Sequence, residues 1–108
     1  MYKLLLSIAA AAMLAAAIPV PAEAQRMVKL EDRVADARDR VHRGRNNGSL
    51  TRAEADRLHA DIDRIERMLD RARRDGTATK VERRDIRDDL DALERNIDRM
   101  TRNAERRR

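Results

Sequence analysis

Apolar residues recur along the chain at alternating spacings of three and four, which is the pattern of one face of a helix. The pattern occurs in three stretches and predicts helices near Met27–Arg45, Arg52–Arg74 and Lys80–Glu105. No stretch alternates apolar and polar residues one by one, as a half-buried strand would. The sequence therefore predicts an all-α fold of three helices, as an antiparallel bundle or as helical hairpins.

The second and third predicted helices carry the longest runs of large aliphatic residues. We expect eight of these residues to form either the core of the bundle or an interface with a partner. They are Leu58, Ile62, Ile65, Leu69, Ile86, Leu90, Leu93 and Ile97. Because the apolar stripe is narrow, it suits a monomeric bundle and a self-associating helix pair equally.

The chain also repeats itself. Residues 45–72 align with residues 73–100 at ten identical positions, and each unit spans four heptads, so the apolar stripe stays in phase. Both units contain a glycine suited to the left-handed position after a helix end, followed by a Thr-x-x-Glu capping box. These turn residues are Gly48, Thr51 and Glu54 in the first unit and Gly76, Thr79 and Glu82 in the second.

The first 24 residues have the features of a secretory signal peptide. The apolar run Leu4–Ile18 is followed by two prolines and by an A-x-A cleavage signal that ends at Ala24. The run is shorter than the roughly 20 residues of a membrane-spanning helix. We therefore expect cleavage after Ala24, a single helical domain of residues 25–108 in the periplasm or secreted, and no stable membrane insertion after cleavage.

The composition of residues 25–108 excludes several kinds of chemistry. This part has 24 basic and 19 acidic residues, a net charge of +5, no cysteine and no aromatic residue. It therefore has no disulfide, no thiolate and no platform on which nucleic-acid bases could stack. Its many carboxylates alternate with arginines, as on a solvated surface, and such carboxylates lack the pKa tuning of general acids. We therefore expect that the protein is not an enzyme.

The remaining charged residues suggest surface contacts. Acid-first pairs at the i, i+4 spacing, such as Asp63–Arg67, Asp91–Arg95 and Asp98–Arg102, are expected to support the helices. The segment Arg102–Arg108 is rich in arginine and is a candidate contact for a polyanion such as lipid phosphate or nucleic acid.

The chain has two histidines, His42 and His59, which lie in different predicted helices. They are 17 residues apart in the sequence, and we interpret both as solvated helix residues. No zinc or nickel site is predicted.

The two turns resemble the calcium loop of the EF-hand family, including its paired arrangement. In the windows 43–54 and 71–82, glycine is sixth, threonine ninth and glutamate twelfth. The resemblance implies oxygen ligands at the fifth and twelfth positions. These candidates are Asn47 and Glu54, and Asp75 and Glu82. Arginine occupies the first and third positions of both windows and would repel calcium, so we expect degenerate loops and no cofactor.

Leu50-Thr51-x-x-Glu54 is similar to the LTxxQ motif of small periplasmic stress chaperones, with Glu in place of Gln. Our leading hypothesis is a small exported, non-catalytic helical interaction protein with vestigial EF-hand-like turns. It would bind a protein partner or a copy of itself. Two alternatives remain, namely a periplasmic chaperone or stress sensor of the LTxxQ type, and a divergent calcium-binding EF-hand protein.

Overall fold

A computed structural model describes residues 18–76 and 78–107 of the 108-residue chain. These residues form three α-helices, α1 (Ala22–Asn46), α2 (Arg52–Arg74) and α3 (Lys80–Arg106). The prediction of an all-α fold is confirmed. Residues 4–17 of the apolar run in the expected signal peptide lie outside the described residues. No helix of the described part is both long enough and apolar enough to cross a membrane.

The start of α1 was predicted wrongly, because the helix begins at Ala22 and not near Met27. The apolar pattern marks a helix only from its first core contact, and Met27 is the first residue of α1 that packs against the core. The preceding residues, Ala22-Glu23-Ala24-Gln25, have high helix propensity. Glu23 also lies in the first turn, where the helix dipole favours an acid. The expected cleavage signal therefore lies within the first turn of α1.

The three helices pack as an up-down-up bundle in which each helix contacts both others. The two short turns each reverse the chain, so α1 and α3 run parallel and α2 runs antiparallel to both. Because α2 has 23 residues, it is about 34 Å long at 1.5 Å per residue. The two repeated turns therefore lie at opposite ends of the bundle, separated by the length of α2.

The core is formed by the apolar stripes of all three helices. Each of the eight aliphatic residues predicted for the core or an interface is at most 2% exposed. Leu30, Val34, Ala37 and Val41 of α1 cover them on the remaining side. The closed bundle thus buries the apolar stripes of its helices.

Most ion pairs of the described residues connect neighbouring helices, whereas the sequence predicted pairs four residues apart within a helix; the intrahelical pair that forms joins Asp70 to Arg73, three residues apart. Arg33 of α1 pairs with Asp91 and Glu94 of α3, and Arg40 pairs with Asp98 in the same parallel register. The hydrogen bond with Glu94 is the main cause that raises the pKa of Arg33.

On the other side of α1, Arg38 lies 3.1 Å from Asp63 and 2.8 Å from Glu66 of α2. The hydrogen bonds with Glu66 and Asp63 raise the pKa of Arg38. The aspartates expected to pair along their own helix thus face α1, because packing brings its arginines within reach. Partly exposed pairs of this kind contribute up to about 1 kcal/mol each, and they align the helices.

Candidate functional site

The first turn is held by an asparagine and a left-handed glycine. Asn47 follows α1, and its side-chain oxygen accepts a hydrogen bond from the backbone N–H of Ser49 at 2.9 Å. Gly48 has a φ of +80°, a conformation that costs other residues about 1–2 kcal/mol. The chain then turns inward, and the Leu50 N–H donates to the Gly44 carbonyl at 2.9 Å.

Leu50 is a core residue that the sequence analysis treated only as part of a loop motif. Its side chain is 1% exposed and lies directly against Gly44 of α1. A Cβ on Gly44 would be 2.7 Å from Leu50 Cδ1, which is closer than such atoms can approach. Leu50 precedes the N-cap of α2, and Ala55, which is also buried, is the fourth helical residue. This is the spacing of a hydrophobic staple, a signal that could have revealed the role of Leu50.

A complete capping box begins α2. Thr51 Oγ1 accepts from the Glu54 N–H at 3.1 Å, and Glu54 Oε1 accepts from the Thr51 N–H at 2.9 Å. That backbone hydrogen bond is the main cause that lowers the pKa of Glu54 below its ordinary value. Arg107, beyond the end of α3, donates to the same carboxylate at 3.3 Å. The LTxxE motif therefore has a complete structural role in this turn.

The second turn has the same glycine and N-cap conformations, but its described residues make fewer contacts. Gly76 has a φ of +79°, and Thr79 Oγ1 accepts from the Glu82 N–H at 3.1 Å. Of the two predicted capping boxes, the described residues complete only the first. Ala78 takes the place of Leu50 and is half-buried, and its carbonyl accepts a hydrogen bond from Arg83 at 2.6 Å.

The four candidate calcium ligands are divided between the two turns, two at each. Asn47 and Glu54 belong to the first turn, where both side chains already accept hydrogen bonds from the protein. Asp75 and Glu82 belong to the second turn, at the far end of α2. Within residues 18–76 and 78–107, no group of three or more His, Cys, Asp or Glu side chains converges as a metal site would require.

The two histidines, which the sequence analysis treated as separate solvated residues, are neighbours. The rings of His42 on α1 and His59 on α2 have centroids 5.0 Å apart. His42 is exposed, but His59 is half-buried, and its Nδ1 is buried without a hydrogen-bond partner. The antiparallel packing of α1 on α2 brings the two rings together, and this was not visible from their sequence spacing.

A basic groove lies between the amino-terminal halves of α1 and α3, with a volume of about 340 Å³. Its lining is Arg26, Lys29, Leu30 and Arg33 from α1, and Lys80, Arg83, Arg84 and Arg87 from α3. The basic residues recur at helical spacing beside the apolar stripe of each helix, and this was the signal in the sequence that could have revealed them. Seven of the eight lining residues are therefore cationic, and the eighth is apolar.

Two of the seven cations form ion pairs with described carboxylates. Arg33 pairs with Asp91 and Glu94, and Arg83 lies 4.0 Å from Glu23. For the other five, no carboxylate of residues 18–76 or 78–107 lies close enough to form an ion pair. These five are Arg26, Lys29, Lys80, Arg84 and Arg87. Because α1 and α3 run parallel, the positive ends of both helix dipoles also lie at this end of the bundle.

The predicted polyanion contact, Arg102–Arg108, lies at the opposite end. α3 remains helical as far as Arg106, and Arg107 pairs with Glu54 at the start of α2. The described part of this segment is therefore attached to the bundle, and one of its arginines already has an acidic partner.

Comparison of the chain with protein-family models, with curated proteins and with solved structures gave no match.

Proposed function

We propose that this chain is a small exported, non-catalytic helical protein that binds an anionic partner through the basic groove. The observation that carries the proposal is the cationic lining of that groove. The burial of the apolar stripe supports it, because a closed bundle has its charged exterior available for contact. A groove with five cations that form no ion pair with the described carboxylates attracts clustered negative charge and speeds its association.

The expected export of the protein would strengthen this groove. Cleavage after Ala24 would remove Glu23, the carboxylate 4.0 Å from Arg83. It would also leave the ammonium group of Gln25 next to Arg26. The processed protein, in the periplasm or secreted, would therefore have a more positive groove than its precursor.

The proposal is tested by titrating the ¹⁵N-labelled protein with inositol hexakisphosphate, a compact soluble polyanion. We expect chemical-shift changes concentrated in residues 26–33 and 80–87. The double variant Arg84→Gln/Arg87→Gln should weaken binding, and Arg57→Gln/Arg64→Gln should not. The control pair lies exposed on α2 and removes the same charge.

Two results would contradict the proposal. One is equal weakening in both variants, which would mean that net charge alone attracts the anion. The other is the absence of any shift at the groove. A calcium titration of a separate sample without inositol hexakisphosphate tests the EF-hand alternative, which predicts chemical-shift changes in residues 43–54 and 71–82 instead. The chaperone alternative requires an exposed stripe, and it predicts fast amide exchange at core positions such as Leu90.

A further inference from the structure

We infer that the anion of the basic groove is an unsubstituted linear phosphate chain, an inorganic polyphosphate. The inference rests on the proposed function and names the class of ligand that the groove takes. Two observations carry it. The lining side chains are hydrogen-bond donors and not acceptors, and the cations are distributed along the bundle instead of surrounding a single point.

The lining side chains can donate hydrogen bonds but cannot accept them. Seven of the eight are lysine or arginine, and neither residue type has a side-chain acceptor. The eighth, Leu30, is 7% exposed and has no polar side-chain group. A ligand that matches this lining therefore consists of acceptors. A phosphate chain meets this requirement, because its oxygens accept hydrogen bonds and carry its negative charge.

Other polyanions have groups for which the eight side chains offer no partner. The backbone of an acidic peptide has an N–H donor at every residue except proline, and the lining side chains have no acceptor for it. Proteins that bind single-stranded nucleic acids usually stack the bases on aromatic rings, and none of the lining residues is aromatic. The lining therefore suits an anion that carries charged oxygens and little else.

The cations follow one another along the bundle. Arg83 donates to the Ala78 carbonyl at 2.6 Å, and its Nη1 lies 4.0 Å from the Glu23 carboxylate. Arg33 donates to Asp91, which is further along α3. Arg83 and Asp91 are about 12 Å apart along the helix axis. Arg33 and Arg83 therefore lie toward opposite ends of the groove, and an elongated anion can reach both.

These two arginines are held in place by the protein. Two carboxylates hold Arg33 and a backbone carbonyl holds Arg83, and each guanidinium has further N–H groups for a ligand. The other five cations of the groove are exposed and can adjust to the ligand. Because pre-positioned groups lose little freedom on binding, an anion that reaches both arginines should bind more tightly than a shorter one.

The test compares four anions by titration of the ¹⁵N-labelled protein, with the amino terminus of the sample read by mass spectrometry. They are long-chain polyphosphate, tripolyphosphate, poly-glutamate and oligo-deoxythymidine, at equal concentrations of negative charge. We expect the long chain to shift residues 26–33 and 80–87 and to bind roughly tenfold more tightly than poly-glutamate or oligo-deoxythymidine. Tripolyphosphate should bind more weakly than the long chain, because it is too short to reach both arginines.

Two double variants separate the groove from general attraction. Lys80→Gln/Arg84→Gln removes two exposed cations of the α3 wall and should weaken binding of the long chain roughly tenfold. Arg57→Gln/Arg64→Gln removes the same charge from the exposed side of α2 and should change the affinity less than about twofold. Circular dichroism checks that both variants keep their helix content.

Each alternative result has a defined meaning. If inositol hexakisphosphate binds at the groove but long-chain polyphosphate does not, the inference is wrong and the proposed function stands. The same holds if poly-glutamate or oligo-deoxythymidine binds there as tightly as the long chain, since the groove would then recognise charge alone. If tripolyphosphate binds as tightly as the long chain, the ligand is a compact phosphate and the linear chain is wrong. If none of these anions shifts the groove residues, both proposals fail.

Discussion

The two turns of this molecule come from one repeated sequence unit, yet the protein closes them differently. Both use a glycine with φ near +80° and a threonine N-cap in an extended conformation. The first turn also buries a leucine, completes its capping box and gains an ion pair from Arg107. The residues that the repeats share therefore determine the shape of the turn, and residues that differ determine how firmly it is fixed.

Two positions account for most of the difference. In the first turn, Gly44 on α1 leaves space that Leu50 fills. The equivalent positions at the second turn, 28 residues later, are Ala72 and Ala78. There the helix residue has a Cβ and the turn residue is small. The first turn thus combines a small helix residue with a large turn residue, and the second combines two alanines. Mutation can test whether this difference in side-chain volume matters.

The largest effect is expected for Leu50→Ala. It removes a side chain that is 1% exposed and leaves a cavity beside Gly44, which should cost about 2–5 kcal/mol of unfolding free energy. Ala78→Gly, the matched change in the second turn, removes one half-buried methyl group and should cost about 1 kcal/mol or less. Chemical denaturation measures both. Similar losses of unfolding free energy in the two variants would mean that the turns are equally well packed, and the proposed difference between them would be wrong.

A second prediction concerns the sign of the effect of Gly44→Ala. In the native protein the new Cβ would overlap Leu50, and we expect a loss of about 1–3 kcal/mol. In a Leu50→Ala background the clash is gone, and the higher helix propensity of alanine should stabilise the protein by up to about 1 kcal/mol. Thermal unfolding of the two single variants and the double variant measures the coupling. Additive effects would show that the two residues are independent.

The third prediction tests what the turns have in common. Gly48→Ala and Gly76→Ala both force alanine into the left-handed region, where open space surrounds the new Cβ. Each should therefore cost about 1–2 kcal/mol, and the two costs should agree. Urea unfolding under identical conditions is the measurement. A clearly smaller cost at Gly76 would mean that the second turn can relax to a different backbone.

Much of the fold could be predicted because helical periodicity and turn chemistry are local. The bounds of α2 and the eight core residues follow from apolar spacing, and Gly48 and Gly76 follow from their place after a helix end. The start of α1 could not be predicted this way, since residues 22–26 are all exposed. Leu50 was missed because a single apolar residue in a loop has no period, although its staple spacing with Ala55 was available.

The contacts between helices depend on distances that the sequence does not contain. Asp91 and Arg95 have the i, i+4 spacing, and intrahelical pairing was the natural expectation. In the structure Asp91 meets Arg33, which is distant in the chain, because α1 and α3 run parallel. The basic groove and the pair of His42 and His59 arise in the same way. Each combines residues from two helices whose register only the packed bundle defines.

The smallest effect should come from the acidic ends of the two capping boxes. Glu54→Ala removes the bond to the Thr51 N–H and the pair with Arg107, and should cost about 1 kcal/mol at neutral pH. Glu82→Ala should cost less, because the Thr79 hydroxyl accepts from the backbone N–H of residue 82, and this bond remains in the variant. The comparison requires low salt, because the ion pair weakens as salt screens it.

The contribution of Glu54 should also depend on pH, with a predictable sign. Its folded-state pKa is lowered, chiefly by the Thr51 N–H, so the stabilisation is present above the ordinary pKa of 4.5. It is lost as the pH falls through the lowered pKa. The difference in unfolding free energy between the native protein and Glu54→Ala should therefore shrink below pH 4.5. A difference for Glu54→Ala that stays constant down to about pH 2 would mean that its carboxylate charge does not hold the turn.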